Sequence, residues 1–196
     1  MSLAFLSPSP EAVAHSPMEH LAREAGARFE IRDGWNVAVG YPSAGGGPVG
    51  WADVSHLRKW EVRGDGVGGE LGTARREAEA WWCGLTSDRA LVLGGAAPEG
   101  ALDVTCNYAA LTIVGPNARE TIARFCALDL RPHVAPPHSF RPGSIARQPG
   151  MILVEATDRF LLLFGWAVAE YMWTVAADAA RPLGGTPIEL DALNDA

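Results

Sequence analysis

Lysine is almost missing from this chain: Lys59 is the single one among 196 residues, and every other basic side chain is arginine. With 16 basic residues against 23 acidic ones the formal net charge is −7. A nucleic-acid grip needs a basic stripe that displaces counterions, and this balance argues against one. Long apolar runs are missing too. The longest uncharged one, 160–169, is about half the ~20 residues that a membrane-spanning helix needs. No basic residue precedes Arg23, and Pro8 and Pro10 interrupt the apolar start, so no secretory signal is legible. The expectation is a cytoplasmic protein. Cys83, Cys106 and Cys126 are odd in number and widely spaced, which suits reduced thiols in packing roles better than disulfides or zinc. The five histidines are scattered, with no ligand spacing among them, so no metal site is expected. The glycines of 64–69 have G-x-G spacing but no strand–helix crossover around them, which leaves a surface loop rather than a phosphate cradle.

What is present is a core. Hydrophobic residues make up 48% of the chain, with seven tryptophans, which is too apolar for disorder. At this length one core is the expectation, with residues 16–185 as a single domain, 1–15 as a flexible N-terminal segment and 186–196 as a tail. Ser16, Pro17 and Glu19 have the order of a capping box, with proline at the first helical position, and predict a helix ending at Gly26. The run 27–41 holds two β-prone stretches around Asp33-Gly34, a hairpin with a tight turn. Residues 43–48 are too glycine-rich for regular structure. Residues 59–63 alternate as a half-buried strand does. The mixed charges and small residues of 70–82 predict a helix with a weak apolar face. A strand follows at 89–95, then two short strands or one bent one over 101–115, and a helix over 117–128. A proline-rich loop spans 130–143. Strands at 151–155 and 160–164 precede a last helix over 167–180, with Val168, Tyr171, Met172 and Val175 at helical spacing. On that helix Trp166, Tyr171 and Trp173 cannot share one face, so at least one aromatic should be partly exposed and should contribute to a contact with another chain.

An internal echo runs through the strands. Asp53-Val54-Ser55-His56 leading to Gly64, and Asp103-Val104-Thr105-Cys106 leading to Gly115, share an aspartate, a valine and a hydroxyl before a strand and a closing glycine. Two strands with equivalent roles in two packed βαβ-like halves would produce this, and the fold class expected is α+β.

The stretch 16–43, SPMEHLAREAGARFEIRDGWNVAVGYPS, followed by 49–64 with its Gly-Trp-Ala-Asp-Val-Ser-His sequence, resembles the opening of the tetrahydrofolate-dependent aminomethyltransferases, the T proteins of glycine cleavage. Residues 101–180 are more similar to the gamma subunit of heterotetrameric sarcosine oxidase, a relative in the same folate-binding superfamily. The resemblance implies the folate-binding domain fold, with tetrahydrofolate as its cofactor and one-carbon transfer as its chemistry. It carries over incompletely. Where the family places a catalytic aspartate after a Gly-Gly turn, this chain reads Gln148-Pro149-Gly150 and continues to Glu155, the only carboxylate nearby. Where the family keeps an asparagine at the end of the next strand, this chain has Phe164-Gly165-Trp166. Two functions follow: a truncated tetrahydrofolate-binding, aminomethyltransferase-like protein, or a non-catalytic gamma-like subunit packed against the larger flavin-bearing chain of a sarcosine (amine) oxidase.

The residues themselves nominate few sites. His56 titrates near neutrality and suits a general base, against the plainer account of a polar residue at a strand end. Glu155 closes an aliphatic strand, where burial would raise its pKa, or it faces solvent at the turn. Asn107 and Tyr108 offer paired amide atoms and a stacking ring for a pterin, or simply form a turn. Arg141, with Arg131 and Arg147, flanks the proline loop and suits a carboxylate such as the glutamate tail of folate. A homo-oligomer or a larger oxidase subunit is the expected partner.

Overall fold

The computed structural model describes residues 12–42 and 47–193; most of the turn expected at 43–48, and the first eleven residues, lie outside them. Chain order is β1 Ala14–His15, α1 Glu19–Glu24, β2 Arg28–Arg32, β3 Trp35–Gly40, β4 Gly50–Asp53, β5 Lys59–Arg63, β6 Ala74–Glu77, β7 Ala80–Thr86, β8 Arg89–Leu93 and β9 Leu102–Asp103. There follow β10 Tyr108–Val114, α2 Ala118–Ala123, β11 Phe140–Ile145, β12 Gln148–Ala156, β13 Arg159–Gly165, α3 Ala169–Ala180 and β14 Thr186–Pro187. Three sheets form, in the orders β1-β3-β2, β11-β12-β13-β10-β4-β14 and β6-β7-β8-β5-β9.

The six-stranded sheet is the middle layer. Odd positions of β10, Ala109, Leu111 and Ile113, share a core with helix residues such as Ile122, Met172 and Trp173. Even positions, Ala110 and Val114, share a second core with Cys83, Leu91 and Leu93 of the five-stranded sheet. Burial on both faces explains why β10, β12 and β13 read as almost continuous apolar runs rather than alternating ones. Pairing is antiparallel except for β1 with β3 and β14 with β4. The fold is α+β.

The hairpin β2–β3 turns at Asp33 and Gly34, both with positive φ, as their chemistry predicts. Several expectations are corrected. Residues 70–82 are not helical: Arg75 faces Trp82 and Arg76 faces Trp81 across the hairpin β6–β7, each guanidinium lying 4.8–5.2 Å from its indole ring. Cross-strand cation–π pairs and inward burial of Trp81 outweigh a weak helical pattern. The helix expected over 117–128 stops at Ala123: the Phe125 and Cys126 amides still donate to the Ile122 carbonyl, but the Phe125 carbonyl accepts from the Ala146 amide and Cys126 bridges to Ile145, which draws the chain onto the β11–β12 hairpin. The proline loop ends early, since β11 begins at Phe140 and carries Pro142 on an edge strand, where a missing N–H costs no ladder bond. The capping box does not close. Ser16 Oγ accepts from the Met18 amide, and the Glu19 carboxylate takes His15 and Arg23 instead. At the two ends, Ala14 and His15 pair with β3, and Thr186 and Pro187 pair with β4.

Candidate functional site

The two echoed segments form matching turns. At the end of β4, Asp53 Oδ1 accepts from the Ser55 amide at 2.9 Å; at the end of β9, Asp103 Oδ1 accepts from the Thr105 amide at 2.8 Å. Each turn then reaches across to the other's outgoing strand. The Ala110 amide donates to Ser55 Oγ at 3.1 Å, and the Lys59 amide donates to Thr105 Oγ1 at 3.1 Å. The valine amides follow the same rule, Val54 to the Ala110 carbonyl and Val104 to the Lys59 carbonyl. The aspartates and hydroxyl residues of the echo therefore fold the chain locally and support each other reciprocally.

Lys59 sits at this crossing and is fully buried. Its Nζ donates to the carbonyls of Ser55 and Leu57 at 2.8 Å and lies 3.5 Å from that of Thr105. Burial pulls its pKa down to about 8, against the opposing pull of Asp53, Cys106 and Asp103. Asp53 in turn is raised by burial, while hydrogen bonds from Ser16 and Ser55 hold it back. The sequence alternation of β5 put no special weight on Lys59. Its being the only lysine was the available signal.

His56 follows this turn and faces Ser16, Glu19, Trp35, Asn36 and Asp53 around a cavity of about 10 Å³. Burial, with Lys59 and Arg32 nearby, lowers its pKa to about 4. The imidazole is neutral at pH 7, as a base must be, but a cavity of that size holds one water at most. Glu155 is engaged elsewhere. Its carboxylate accepts from Trp81 Nε1 and from Arg159 Nε, each at 3.1 Å, and so joins β12 to β7 and β13. In the sheet His56 lies past the far end of β4 while Glu155 lies near the opposite end of β12, three strands away, so the two candidates do not meet.

Asn107 ends a short 3-10 turn and is exposed; Tyr108 opens β10 and packs on the second core. Arg141 on β11 donates to the Val134 carbonyl at 2.7 Å. Three strand spacings, roughly 14 Å, separate β11 from β10. Neither the cleft beside the β11–β12 hairpin nor the one beside Gly50 and Arg159 is lined by Asn107, Tyr108 or Arg141, and no cluster of metal-binding side chains is present among the described residues. No helix among them is long and apolar enough to cross a membrane.

A scan of family models and a search of curated proteins each find no match. Solved structures do match. A chain of the heterotetrameric sarcosine oxidase from Corynebacterium sp. U-96, in complex with pyrrole 2-carboxylate, superposes with a TM-score of 0.68 at 16% identity. The superposition covers 87% of this chain and 96% of that one. The glycine cleavage system aminomethyltransferase T from Bartonella henselae superposes with a TM-score of 0.70 at 15% identity, covering 92% of this chain and 60% of that one. The chain has the fold of aminomethyltransferase T. It spans about three-fifths of that enzyme's length, and nearly the whole of the oxidase chain it matches.

Proposed function

We propose that this protein is a non-catalytic subunit of a multi-chain amine oxidase, a gamma-like chain that packs against a larger flavin-bearing subunit. The observation that carries this reading is the near end-to-end correspondence with one chain of a heterotetrameric oxidase. The state of the candidate catalytic groups agrees with it. Glu155 is held by Trp81 and Arg159, and His56 faces a cavity too small for a substrate. On this reading residues 16–185 work as one unit whose task is shape, and the two Asp turns locked through Lys59 give that shape its rigidity.

A second reading, a tetrahydrofolate-binding protein of one-carbon metabolism, is favoured by the likeness to aminomethyltransferase T over 92% of this chain. Its ligand contacts would come from Asn107, Tyr108 and Arg141. The separation of those residues across the sheet counts against one compact pterin site.

Two measurements on the full chain separate the readings. Tagged protein isolated from its native cells is expected to carry a larger chain in fixed stoichiometry, with flavin absorbance and amine-oxidase activity. Titration of the isolated chain with tetrahydrofolate is expected to give no heat and no rise in melting temperature, because a ligand that bound only the folded state would raise it. Saturable heat, with no flavoprotein in the isolate, would reverse the order of the two readings.

A further inference from the structure

An open cleft of about 520 Å³ lies between the end of α2, the β11–β12 hairpin and α3. Its floor is apolar, with Phe125, Cys126 and Val175, and its rim carries Arg124, Arg147 and Tyr171. No carboxylate lines it, although the whole chain has a net charge of −7. Arg124 pairs with Glu120 at 3.0 Å, whereas no ion pair among the described residues involves Arg147.

The wall that presents Arg147 is fixed from two sides. The Ala146 amide donates to the Phe125 carbonyl at 2.9 Å, and Tyr171 Oη donates to the Ala146 carbonyl at 3.2 Å. The hairpin turn consists of Ala146 and Arg147 alone, between the paired residues Ile145 and Gln148. Both have positive φ, +48° and +64°. Two-residue hairpin turns of this kind favour asparagine and glycine. Here the left-handed position holds an arginine at the cleft rim. Tyr171 stays 47% exposed beside it, while Met172 and Trp173 of the same helix are buried.

We propose that this cleft is the docking site for an acidic segment of the partner polypeptide, in which carboxylates meet Arg147 and Arg124 and an apolar side chain fills the floor. The proposal rests on the subunit reading above and names the face that subunit uses. Charge complementarity selects the occupant: the cleft is a cationic, carboxylate-free hollow on an acidic chain. Arginine and tyrosine around an apolar centre are the side chains that dominate such contacts, and the openness of the cleft suits an extended segment.

The probe is a labelled five-residue peptide with two carboxylates on each side of a phenylalanine, followed by fluorescence anisotropy against the full chain. Saturable binding is expected, weakened about tenfold or more in Arg147→Glu, reduced in Tyr171→Ala, and weakened by about 0.3 M salt. The matching lysine peptide should not bind, and Arg63→Glu, at the exposed end of β5, should behave as wild type. Absence of saturable binding at millimolar peptide, or binding unchanged in Arg147→Glu, overturns the proposal. A dimer in analytical ultracentrifugation that Arg147→Glu dissolves would also overturn it, by giving the cleft to a second copy. Co-purification of Arg147→Glu with the flavin subunit tells the two failures apart. An intact complex without peptide binding removes the cleft and keeps the subunit reading; peptide binding without any flavin subunit does the reverse.

Discussion

His56 and Lys59 are neighbours at one turn, and burial acts on both in the same direction. The native His56 resists protonation down to about pH 4, while the imidazole of an unfolded chain takes its proton near 6.5. Between those values the unfolded state binds more protons, so native stability falls as pH falls. The loss attributable to His56 is at most about 3 kcal/mol by pH 4. Urea unfolding of wild type and His56→Gln at pH 7, 5.5 and 4.5 checks it: the variant's stability should decline less steeply, and parallel curves would refute the assignment. Lys59 offers a different readout, because it is the chain's only ε-amine and is fully buried. Amine-acylating reagents should leave it unmodified in the native protein and modify it once denaturant unfolds the chain, a difference that intact-mass spectrometry resolves. Lys59→Ala should cost roughly 3 kcal/mol or more, since it opens a cavity and strands the carbonyls of Ser55 and Leu57.

At the scale of elements, legibility in the sequence followed the strength of the local signal. The Asp33-Gly34 hairpin, the strands β12 and β13 and the last helix all carried clear turn chemistry or periodicity, and they stand at the expected places. The hairpin β6–β7 did not: Arg75 and Arg76 meet Trp82 and Trp81 only seven and five residues further along, but those cross-strand pairs are invisible to a count of helical periodicity, and Ala78 turns the chain without glycine or proline to mark it. The candidate site was legible only in outline. Asp53, Ser55, Asp103 and Thr105 were visible as an echo, but their crossed hydrogen bonds depend on β4 pairing with β10 and β5 with β9. From that crossing a prediction follows. Ser55→Ala and Thr105→Val each leave one buried amide, of Ala110 or Lys59, without its acceptor. Each should cost about 1–3 kcal/mol. Because both bonds close the same junction, the double variant should lose less or more than the sum of the single losses by at least ~0.5 kcal/mol, measured by chemical denaturation. Strict additivity would mean that the two turns act independently.

Over the whole molecule, three sheets have to be held in one arrangement, and the C-terminal segment does much of that holding. Beyond α3 the chain pairs Thr186 and Pro187 with β4, and the Ile188 amide donates to the Trp51 carbonyl. Leu190 packs on the small cluster of Trp35, Val37 and Val39, while Leu193 is buried in the core between the two larger sheets. Asp191 takes both terminal nitrogens of Arg32 from β2, at 2.7 and 2.9 Å, and the Leu193 carbonyl accepts from Arg159 of β13. The segment expected to be a tail therefore bonds to two of the sheets and buries Leu193 in the core that one of them shares with the third. Its exposed ion pair contributes little alone. The apolar contacts are the substantial part: Leu193→Ala should cost about 2–3 kcal/mol through the cavity it leaves, which for a chain of this size lowers the melting temperature by roughly 4–12 °C. Ending the chain after Gly185 removes Ile188, Leu190 and Leu193 together and should lower it further, or prevent cooperative unfolding altogether. Scanning calorimetry on the three proteins checks the order wild type, Leu193→Ala, truncated chain. A truncated chain that melts within about 2 °C of wild type would return residues 186–193 to the status of a dispensable tail.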